Sequence, residues 1–309
     1  MSATFHPETL RGGLLPLVAR QPLGAHALNY RQFYRLPGHD GLRSWLGRFE
    51  AGGFDVVGQV WLPAEPKATL VLVHGFYDHM GLYRHVIEWA LARSFAVISC
   101  DLPGHGLSSG ERASIHSFAE YQAVLDALLV EAQALDLPRP WHLCGQSMGG
   151  AIVIDHLLHG AARSPAQGRP ILLAPLVRPR SWTWSRLSYQ LLKPFVGGLA
   201  RRFSENTNDP EFMPFLQADP LQPVRLPTVW VGALVPWIKR IEAAPPSACS
   251  PLIVQGQQDM TVDWQHNLRV LAGKFNQPQV LMLPPARHHL ANEIPEIRQA
   301  YFNFLDGYL

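Results

Sequence analysis

The sequence has few charged residues and few cysteines, and each shortage argues against a class of protein. Charged side chains make up 16% of the 309 residues, and the formal net charge of +2 comes without any basic or acidic run. Because nucleic-acid binding depends on clustered Lys and Arg, we expect no nucleic-acid partner. The three cysteines, Cys100, Cys144 and Cys249, have the spacing of neither a disulfide framework nor a zinc site. We expect them to be reduced.

Long apolar runs and metal-binding motifs are also missing. No apolar run approaches the roughly eighteen residues of a membrane span. The stretch LLPLVA near Leu14 is too short, and too broken by Gly, Pro and Arg around it, to predict a signal peptide. The fourteen histidines include no His-Glu-x-x-His pair, so we expect no metal and no organic cofactor. The default expectation is a soluble, cytoplasmic protein, with peripheral contact to a membrane left open.

What the sequence does contain is an alternation of short apolar runs and helical patterns. This alternation is typical of strand–helix repetition around a largely parallel sheet. The predicted strands are Gly53–Leu62, Thr69–His74, Phe95–Cys100, Trp141–Gly145, Pro170–Ala174, Pro251–Gln255 and Gln279–Leu283. The predicted helices are His85–Arg93, Phe118–Leu135, Gly149–His159, Val262–Lys274 and Ile294–Leu305.

One segment, residues 176–245, interrupts this alternation. It divides the chain into an α/β unit formed by residues 1–175 and 246–309 and an insertion between them. A loop of that length inside a compact domain should have structure and a purpose of its own. The segment is a helical insertion whose aromatic residues form a small core, or a lid whose inner face holds an apolar substrate. Its aromatic residues are Trp182, Trp184, Tyr189, Phe195, Phe203, Phe212, Phe215, Trp230 and Trp237.

The stretch LCGQSMGGAI places Ser147 between two glycines where one apolar run ends and the next begins. If a strand ends before Ser147 and a helix starts after it, the chain reverses too tightly for side chains at Gly145 and Gly149. Such a turn lifts the serine hydroxyl clear of the sheet and points the amide of Met148 at the same place. This context predicts a nucleophilic serine.

A second Gly-x-Ser-x-Gly pattern occurs at Ser108, in GLSSG, and it lacks this context. The turn-rich sequence DLPGHG separates Ser108 from the preceding apolar run, and no helical pattern begins at Gly110. We interpret Ser108 as a loop residue.

A serine hydroxyl needs a base and a third group that orients the base. Where a strand–turn–helix carries the nucleophile, an acid and then a histidine follow it in the chain. Asp259 comes just after the predicted strand PLIVQ, and His288 follows the strand QVLML. Asp259 is alternatively the N-cap of the next helix, with Asp263 then as the acid, and His289 is the alternative base.

The oxyanion donors are predicted from the strand TLVLVHG, which runs into His74-Gly75-Phe76. Glycine lets this backbone approach a reacting carbonyl, so the amide of Phe76 becomes the second donor beside that of Met148. A turn that merely closes the strand is the alternative.

Five segments in order, HGFYDHMGLY, CDLPGHGLSSGERASIHSFAEY, GQSMGG, QGQQDMTVD and RHHLANE, resemble blocks of one family. It is the monoacylglycerol lipase and lysophospholipase branch of the α/β-hydrolase superfamily, of serine aminopeptidase type. The similarity covers roughly residues 36–309. It implies an α/β-hydrolase fold with a mostly parallel eight-stranded sheet and the insertion as a helical cap.

The same resemblance implies Ser147 as nucleophile, Asp259 as acid, His288 as base, and the amides of Phe76 and Met148 as oxyanion hole. The family usually has an acidic residue after the catalytic histidine, where this chain has His289, which keeps His289 open as the base.

The sequence thus predicts a serine hydrolase that cleaves carboxylic esters of monoacyl lipids, either a monoacylglycerol or a lysophospholipid, through an acyl-enzyme. One alternative is a carboxylesterase or peptidase with a small non-lipid substrate. Another is a non-catalytic binding protein on the same fold. Dehalogenases and epoxide hydrolases of this fold are disfavoured because they need a carboxylate where Ser147 stands.

Overall fold

Strands and helices alternate over most of the chain, as the sequence predicts. The computed structural model describes residues 4–192, 196–201 and 203–309. Within these residues the strands are β1 Arg43–Ala51, β2 Phe54–Leu62, β3 Ala68–Val73, β4 Phe95–Cys100, β5 Trp141–Gln146, β6 Ile171–Leu173, β7 Gly198–Ala200, β8 Arg225–Pro227, β9 Leu252–Gly256 and β10 Gln279–Leu283. The α-helices are α1 Pro7–Gly12, α2 Ala25–Phe33, α3 Arg84–Ala92, α4 Phe118–Ala134, α5 Met148–His159, α6 Trp182–Leu192, α7 Phe212–Ala218, α8 Thr228–Ala243, α9 Trp264–Lys274 and α10 Pro295–Asp306.

The central sheet has eight strands in the order β1-β2-β4-β3-β5-β6-β9-β10. Strand β2 runs antiparallel to both of its neighbours, and every other pair in the sheet is parallel. This confirms the prediction of a mostly parallel eight-stranded sheet. Because β3, β5, β9 and β10 are parallel, the loops that follow them lie at one edge of the sheet, where ligands bind in open α/β folds.

Strand β1 and the first two helices are absent from the pattern-based prediction. Strand β1 pairs with β2 through a two-residue turn, Gly52-Gly53, in which both glycines have positive φ. Paired glycines are typical of the tight turns that match the twist of a hairpin. This turn is the signal in the sequence that predicts the hairpin.

The core lies on both faces of the sheet. Along β3 the buried side chains alternate: Val71 and Val73 belong to one apolar cluster, and Leu70 and Leu72 belong to another. The first cluster includes side chains of α4, α5 and α8, and the second includes side chains of α3 and α10. Helices on both faces explain why β3 is apolar along its whole length.

Residues 176–245 have more structure than their sequence pattern indicates. They contain α6, α7 and α8, together with a small antiparallel sheet formed by β7 and β8. Helix α8 packs on α4, where the ring of Trp237 stacks on that of Phe118 at 4.7 Å. Phe195 lies outside the described residues. None of the described helices combines the length and the apolar composition needed to span a bilayer.

Candidate active site

Ser147 lies at the turn between β5 and α5, with a φ of +53° and a ψ of −113°. A residue other than glycine rarely adopts a positive φ, and such a conformation costs about 1–3 kcal/mol. The chain can turn here because the residues two positions before and after Ser147 are glycines, which lack side chains. A Cβ atom at Gly145 would lie 2.3 Å from the carbonyl oxygen of Gly149, and one at Gly149 would lie 2.1 Å from that of Val73.

Three residues that are far apart in the sequence meet at this turn. Nε2 of His288 lies 2.9 Å from Oγ of Ser147, and Nδ1 of His288 lies 2.6 Å from Oδ2 of Asp259. Asp259 follows β9 and His288 follows β10, so the parallel strands deliver both residues to the edge where β5 ends. Ser147 is 8% exposed, and the other two residues are buried. A hydroxyl, an imidazole and a carboxylate in this order can transfer a proton from the serine to the histidine.

Asp259 and Asp263, the two candidate acids, have different partners. Oδ1 of Asp259 accepts hydrogen bonds from the amides of Thr261 and Val262, and its Oδ2 faces His288. Asp263 instead caps α9 by accepting from the amide of His266 at 3.2 Å. The helix therefore starts at Trp264, two residues later than predicted, and the N-cap alternative applies to Asp263 rather than Asp259.

The electrostatics favour a charged Asp259 and a basic His288. Burial lowers the pKa of His288, but the charge of Asp259 and its hydrogen bond outweigh burial and hold the pKa above the usual 6.5. Burial raises the pKa of Asp259, but the charge of His288, the hydrogen bond to it and two backbone amides hold that pKa below 3.8. The Asp259 carboxylate is thus ionised at neutral pH and stabilises a positive charge on His288.

His289, the alternative base, lies beside Asp78 rather than Ser147. Its Nε2 is 3.1 Å from Oδ2 of Asp78, and its ring packs against that of Phe212 at 4.7 Å. Its amide donates to the carbonyl oxygen of Asn206. Two adjacent histidines therefore each face a different carboxylate, and His288 is the one within hydrogen-bonding distance of the serine.

The loop after β3 passes directly beside Ser147. A Cβ atom at Gly75 would lie 3.5 Å from the Cβ of Ser147, an ordinary contact distance, and 2.9 Å from Oδ2 of Asp78, which is too close. Phe76 follows in this loop, and Met148 is the first residue of α5, where amide groups lack intrahelical partners. Met148 thus follows the serine directly in the chain, and Phe76 follows the glycine that lies beside the serine.

Sequence reasoning missed the residues that hold this loop. The hydroxyl of Tyr83 accepts from the amide of Gly75 at 2.9 Å and donates to Oδ2 of Asp78 at 2.7 Å. Nε2 of His74 accepts from the amide of Leu102, and burial lowers the pKa of His74 to about 3, so this imidazole is neutral. Apart from Leu102, these residues all lie in the segment HGFYDHMGLY. The sequence predicts a function only for the beginning of this segment, HGF.

Comparisons with known proteins identify the family of this chain. Residues 64–295 match the family described as serine aminopeptidase, S33. Over 258 residues the chain is 30% identical to the monoacylglycerol lipase of Mycolicibacterium smegmatis, a match that covers 79% of this chain and 89% of that protein. The chain belongs to the serine aminopeptidase S33 family of α/β-hydrolases.

Three further proteins are similar to this α/β-hydrolase in sequence or in structure. The human monoglyceride lipase is 29% identical over 79% of this chain and 82% of that protein. A phospholipase of Bacillus subtilis is 37% identical, but over only 31% of this chain and 36% of its own length. The solved structure of a soluble variant of yeast monoglyceride lipase superposes with a TM-score of 0.71, at 18% identity, covering 85% of this chain and 93% of that one. The chain is a carboxylic ester hydrolase with the α/β-hydrolase fold.

Proposed function

We propose that this hydrolase cleaves the carboxylic esters of monoacyl lipids through an acyl-enzyme on Ser147. The observation that carries the proposal is the hydrogen-bonded array of Ser147, His288 and Asp259 at the end of the parallel strands. The similarity to monoacylglycerol lipases over most of the chain supports the choice of substrate.

In the first half of the reaction, Oγ of Ser147 attacks the acyl carbon while Nε2 of His288 takes the hydroxyl proton. The carbonyl oxygen becomes negatively charged and accepts hydrogen bonds from the amides of Phe76 and Met148. When the tetrahedral intermediate collapses, the bond to the alcohol breaks, and the alcohol leaves with the proton from His288. The acyl group remains on Ser147.

In the second half, a water molecule gives a proton to Nε2 of His288 and its oxygen attacks the acyl carbon. The same two amides stabilise the second oxyanion. Collapse breaks the bond to Oγ, which recovers the proton from His288, and the carboxylic acid leaves. Asp259 keeps the proton on Nδ1 throughout, so that Nε2 is free to accept, and its charge stabilises the imidazolium formed in each half.

The residues around the serine suit an apolar acyl chain. The ring of Phe76 belongs to the loop that passes beside the serine, and the ring of Phe212 packs against His289, next to the base in the chain. Each buried methylene contributes about 0.8 kcal/mol, so covering six or eight carbons could select long chains by several kcal/mol. A monoacylglycerol or a lysophospholipid meets this requirement.

A series of p-nitrophenyl esters with acyl chains of increasing length tests the substrate class. We expect kcat/KM to rise with chain length, and hydrolysis of a monoacylglycerol or lysophosphatidylcholine to depend on Ser147. A preference for the acetyl ester would end the lipid proposal and leave an esterase. Cleavage of amino-acid p-nitroanilides in place of esters would favour the peptidase alternative.

The proposal extends to contact with the lipid surface that carries such substrates. On α6, Trp182 is buried, whereas Trp184, Leu187 and Leu191 are exposed by 72%, 46% and 66% of their surfaces. Apolar side chains at this spacing lie on one face of a helix, which is how interfacial helices bind lipid.

Vesicle co-sedimentation tests this contact with the double variant Trp184→Ser/Leu191→Ser. We expect the variant to lose binding to phosphatidylcholine vesicles while it keeps its activity on p-nitrophenyl acetate in solution. Equal vesicle binding by the variant and the unaltered protein would remove α6 from the proposal.

A further inference from the structure

Five side chains, four of them aromatic, pack against one another in series beside the loop after β3. The ring of Trp230 lies 3.9 Å from that of Phe76, with the two planes at 25°. The ring of Phe76 in turn lies 4.1 Å from that of Tyr77. The guanidinium of Arg201 lies 4.1 Å from the centre of the Tyr77 ring and 4.4 Å from that of Phe203. We call these five residues the aromatic stack.

The two halves of the aromatic stack come from different parts of the chain. Phe76 and Tyr77 belong to the loop that carries a proposed oxyanion donor. Trp230 belongs to α8, and Arg201 and Phe203 follow β7, so all three lie within residues 176–245. This segment therefore contacts the loop at two successive side chains, Phe76 and Tyr77.

Arg201 is held in place on its own side. Its Nη1 donates to the side-chain oxygen of Gln222 at 2.7 Å and to the carbonyl oxygen of Pro223 at 3.1 Å. Its amide donates to the carbonyl oxygen of Val224. Because a planar guanidinium with fixed hydrogen bonds stacks in one orientation, Arg201 presents a rigid surface to the ring of Tyr77.

The backbone of the loop requires such support. Tyr77 has a φ of +69°, a conformation that is unfavourable for a residue with a bulky side chain. Strained conformations of this kind persist where the surrounding structure over-determines them, and they cluster at functional sites. On the other side of Phe76, the amide of Gly75 is fixed by the hydroxyl of Tyr83. The Phe76 amide thus lies between two restrained residues.

We propose that Trp230 and Arg201 are positioning residues for the oxyanion hole. By fixing the rings of Phe76 and Tyr77, they fix the direction in which the Phe76 N–H points. The inference rests on the proposed function, in which this N–H binds the oxyanion. Its consequence is that residues 176–245 contribute to stabilising the transition state as well as to covering the substrate, so a shift of α8 weakens the hole.

The test uses p-nitrophenyl acetate, whose acyl group is too short to depend on an acyl-chain pocket. We expect Trp230→Leu to lower kcat on the order of ten- to a hundred-fold, because a displacement of about 1 Å can cost 10²-fold and a lost donor costs 10²–10³-fold. KM should stay within about twofold. Trp230→Phe keeps a stacking ring and should restore most of kcat.

Trp237 provides the matched control. It lies on the same helix and is buried and stacked at the same 25° angle, but on Phe118 of α4 instead of the loop. Trp237→Leu should leave kcat per active site within about threefold of the unaltered enzyme, although it removes a hydrogen bond to Asp155. Titration of active sites with a fluorophosphonate separates a loss of kcat from a loss of folded protein.

A trifluoromethyl ketone gives a second readout, because its adduct places an oxyanion in the same hole. Its inhibition constant should rise in Trp230→Leu by about the factor by which kcat/KM falls. If Trp230→Leu fails to fold, Arg201→Lys takes its place. It keeps the charge and loses the planar stack on Tyr77, and should lower kcat several-fold with the same parallel change in inhibition.

The outcomes separate the two proposals. Activity that survives in Ser147→Ala would overturn the proposed function. Activity that depends on Ser147, with kcat of Trp230→Leu within about threefold of the unaltered enzyme, would overturn the positioning role alone. Should Trp230→Leu not fold, an unchanged kcat in Arg201→Lys would overturn it in the same way.

Discussion

The chain contains two Gly-x-Ser-x-Gly pentapeptides, one around Ser147 and one around Ser108, and their serines have different partners. Ser147 lies between a strand and a helix with a positive φ, and its hydroxyl faces His288. Ser108 is also buried, but its hydroxyl donates to the carbonyl oxygen of Asp101 at 2.6 Å and accepts from the amide of Val57 at 2.8 Å. The hydroxyl of Ser108 therefore forms its hydrogen bonds with backbone groups, whereas the hydroxyl of Ser147 faces a titratable side chain.

The chemistry of a serine in this chain thus depends on what its hydroxyl contacts. The same holds for the adjacent histidines, since His288 joins Ser147 to Asp259 while His289 lies beside Asp78. It also holds for the two acids, because Asp263 caps a helix. In each pair, the fold supplies different partners to residues of one type.

Replacement of Ser147 should have the largest effect. Ser147→Ala is expected to lower kcat by something on the order of 10⁶, because it removes the hydroxyl on which the proposed acyl-enzyme forms. The free energy of unfolding should change little, which urea denaturation would check. Comparable activity in Ser147→Ala and the unaltered enzyme would show that Ser147 is not the nucleophile.

Replacement of the acid should have a smaller effect on activity. Asp259→Asn is expected to lower kcat about 10⁴-fold, because an amide in place of the carboxylate favours the wrong tautomer of His288. Asp263→Asn is the control, since asparagine also caps helices and should leave kcat nearly unchanged. Steady-state kinetics of the two variants decide which aspartate acts, and a larger loss in Asp263→Asn would reverse the assignment.

The pH dependence of kcat/KM should distinguish the two histidines. His288 accepts a proton from Ser147 only when it is neutral, so activity should rise with pH as His288 loses its proton. Because the charge of Asp259 holds the pKa of His288 above 6.5 against the effect of burial, the rise should be centred above that pH. His289→Gln should keep this limb in place. A limb that disappears in His289→Gln would make His289 the base.

Ser108→Ala should have the smallest effect on catalysis and a measurable one on stability. The substitution leaves the amide of Val57 and the carbonyl oxygen of Asp101 without this partner, and a buried polar group left unpaired costs about 1–3 kcal/mol. Urea denaturation should show this loss, while kcat stays within a few-fold. A loss of activity as large as that of Ser147→Ala would contradict the structural role of Ser108.

Sequence predicted the strands of the α/β unit because buried parallel strands are continuous apolar runs. Strand β1 was not predicted because its sequence, RSWLGRFEA, is neither a continuous apolar run nor a regular alternation of polar and apolar residues. Ser147 and its glycines were predictable because the constraint at this turn is local. The choice between His288 and His289 was not predictable in this way, since the sequence does not show which partner each of two adjacent side chains contacts.

The interior of residues 176–245 could not be predicted for a related reason. The buried residues of α8 do have helical spacing, but the partners of its aromatic side chains lie elsewhere in the chain. Nothing near Trp230 in the sequence indicates that its ring lies on that of Phe76. Contacts of this kind depend on how the insertion packs on the rest of the fold. The sequence pattern of neither segment shows this packing.

The identity of the nucleophile is tested most directly by mass spectrometry of the enzyme after reaction with a fluorophosphonate. We expect one modified peptide, labelled at Ser147, with loss of esterase activity in proportion to labelling. A label on Ser108, or full inhibition without a label on Ser147, would contradict it.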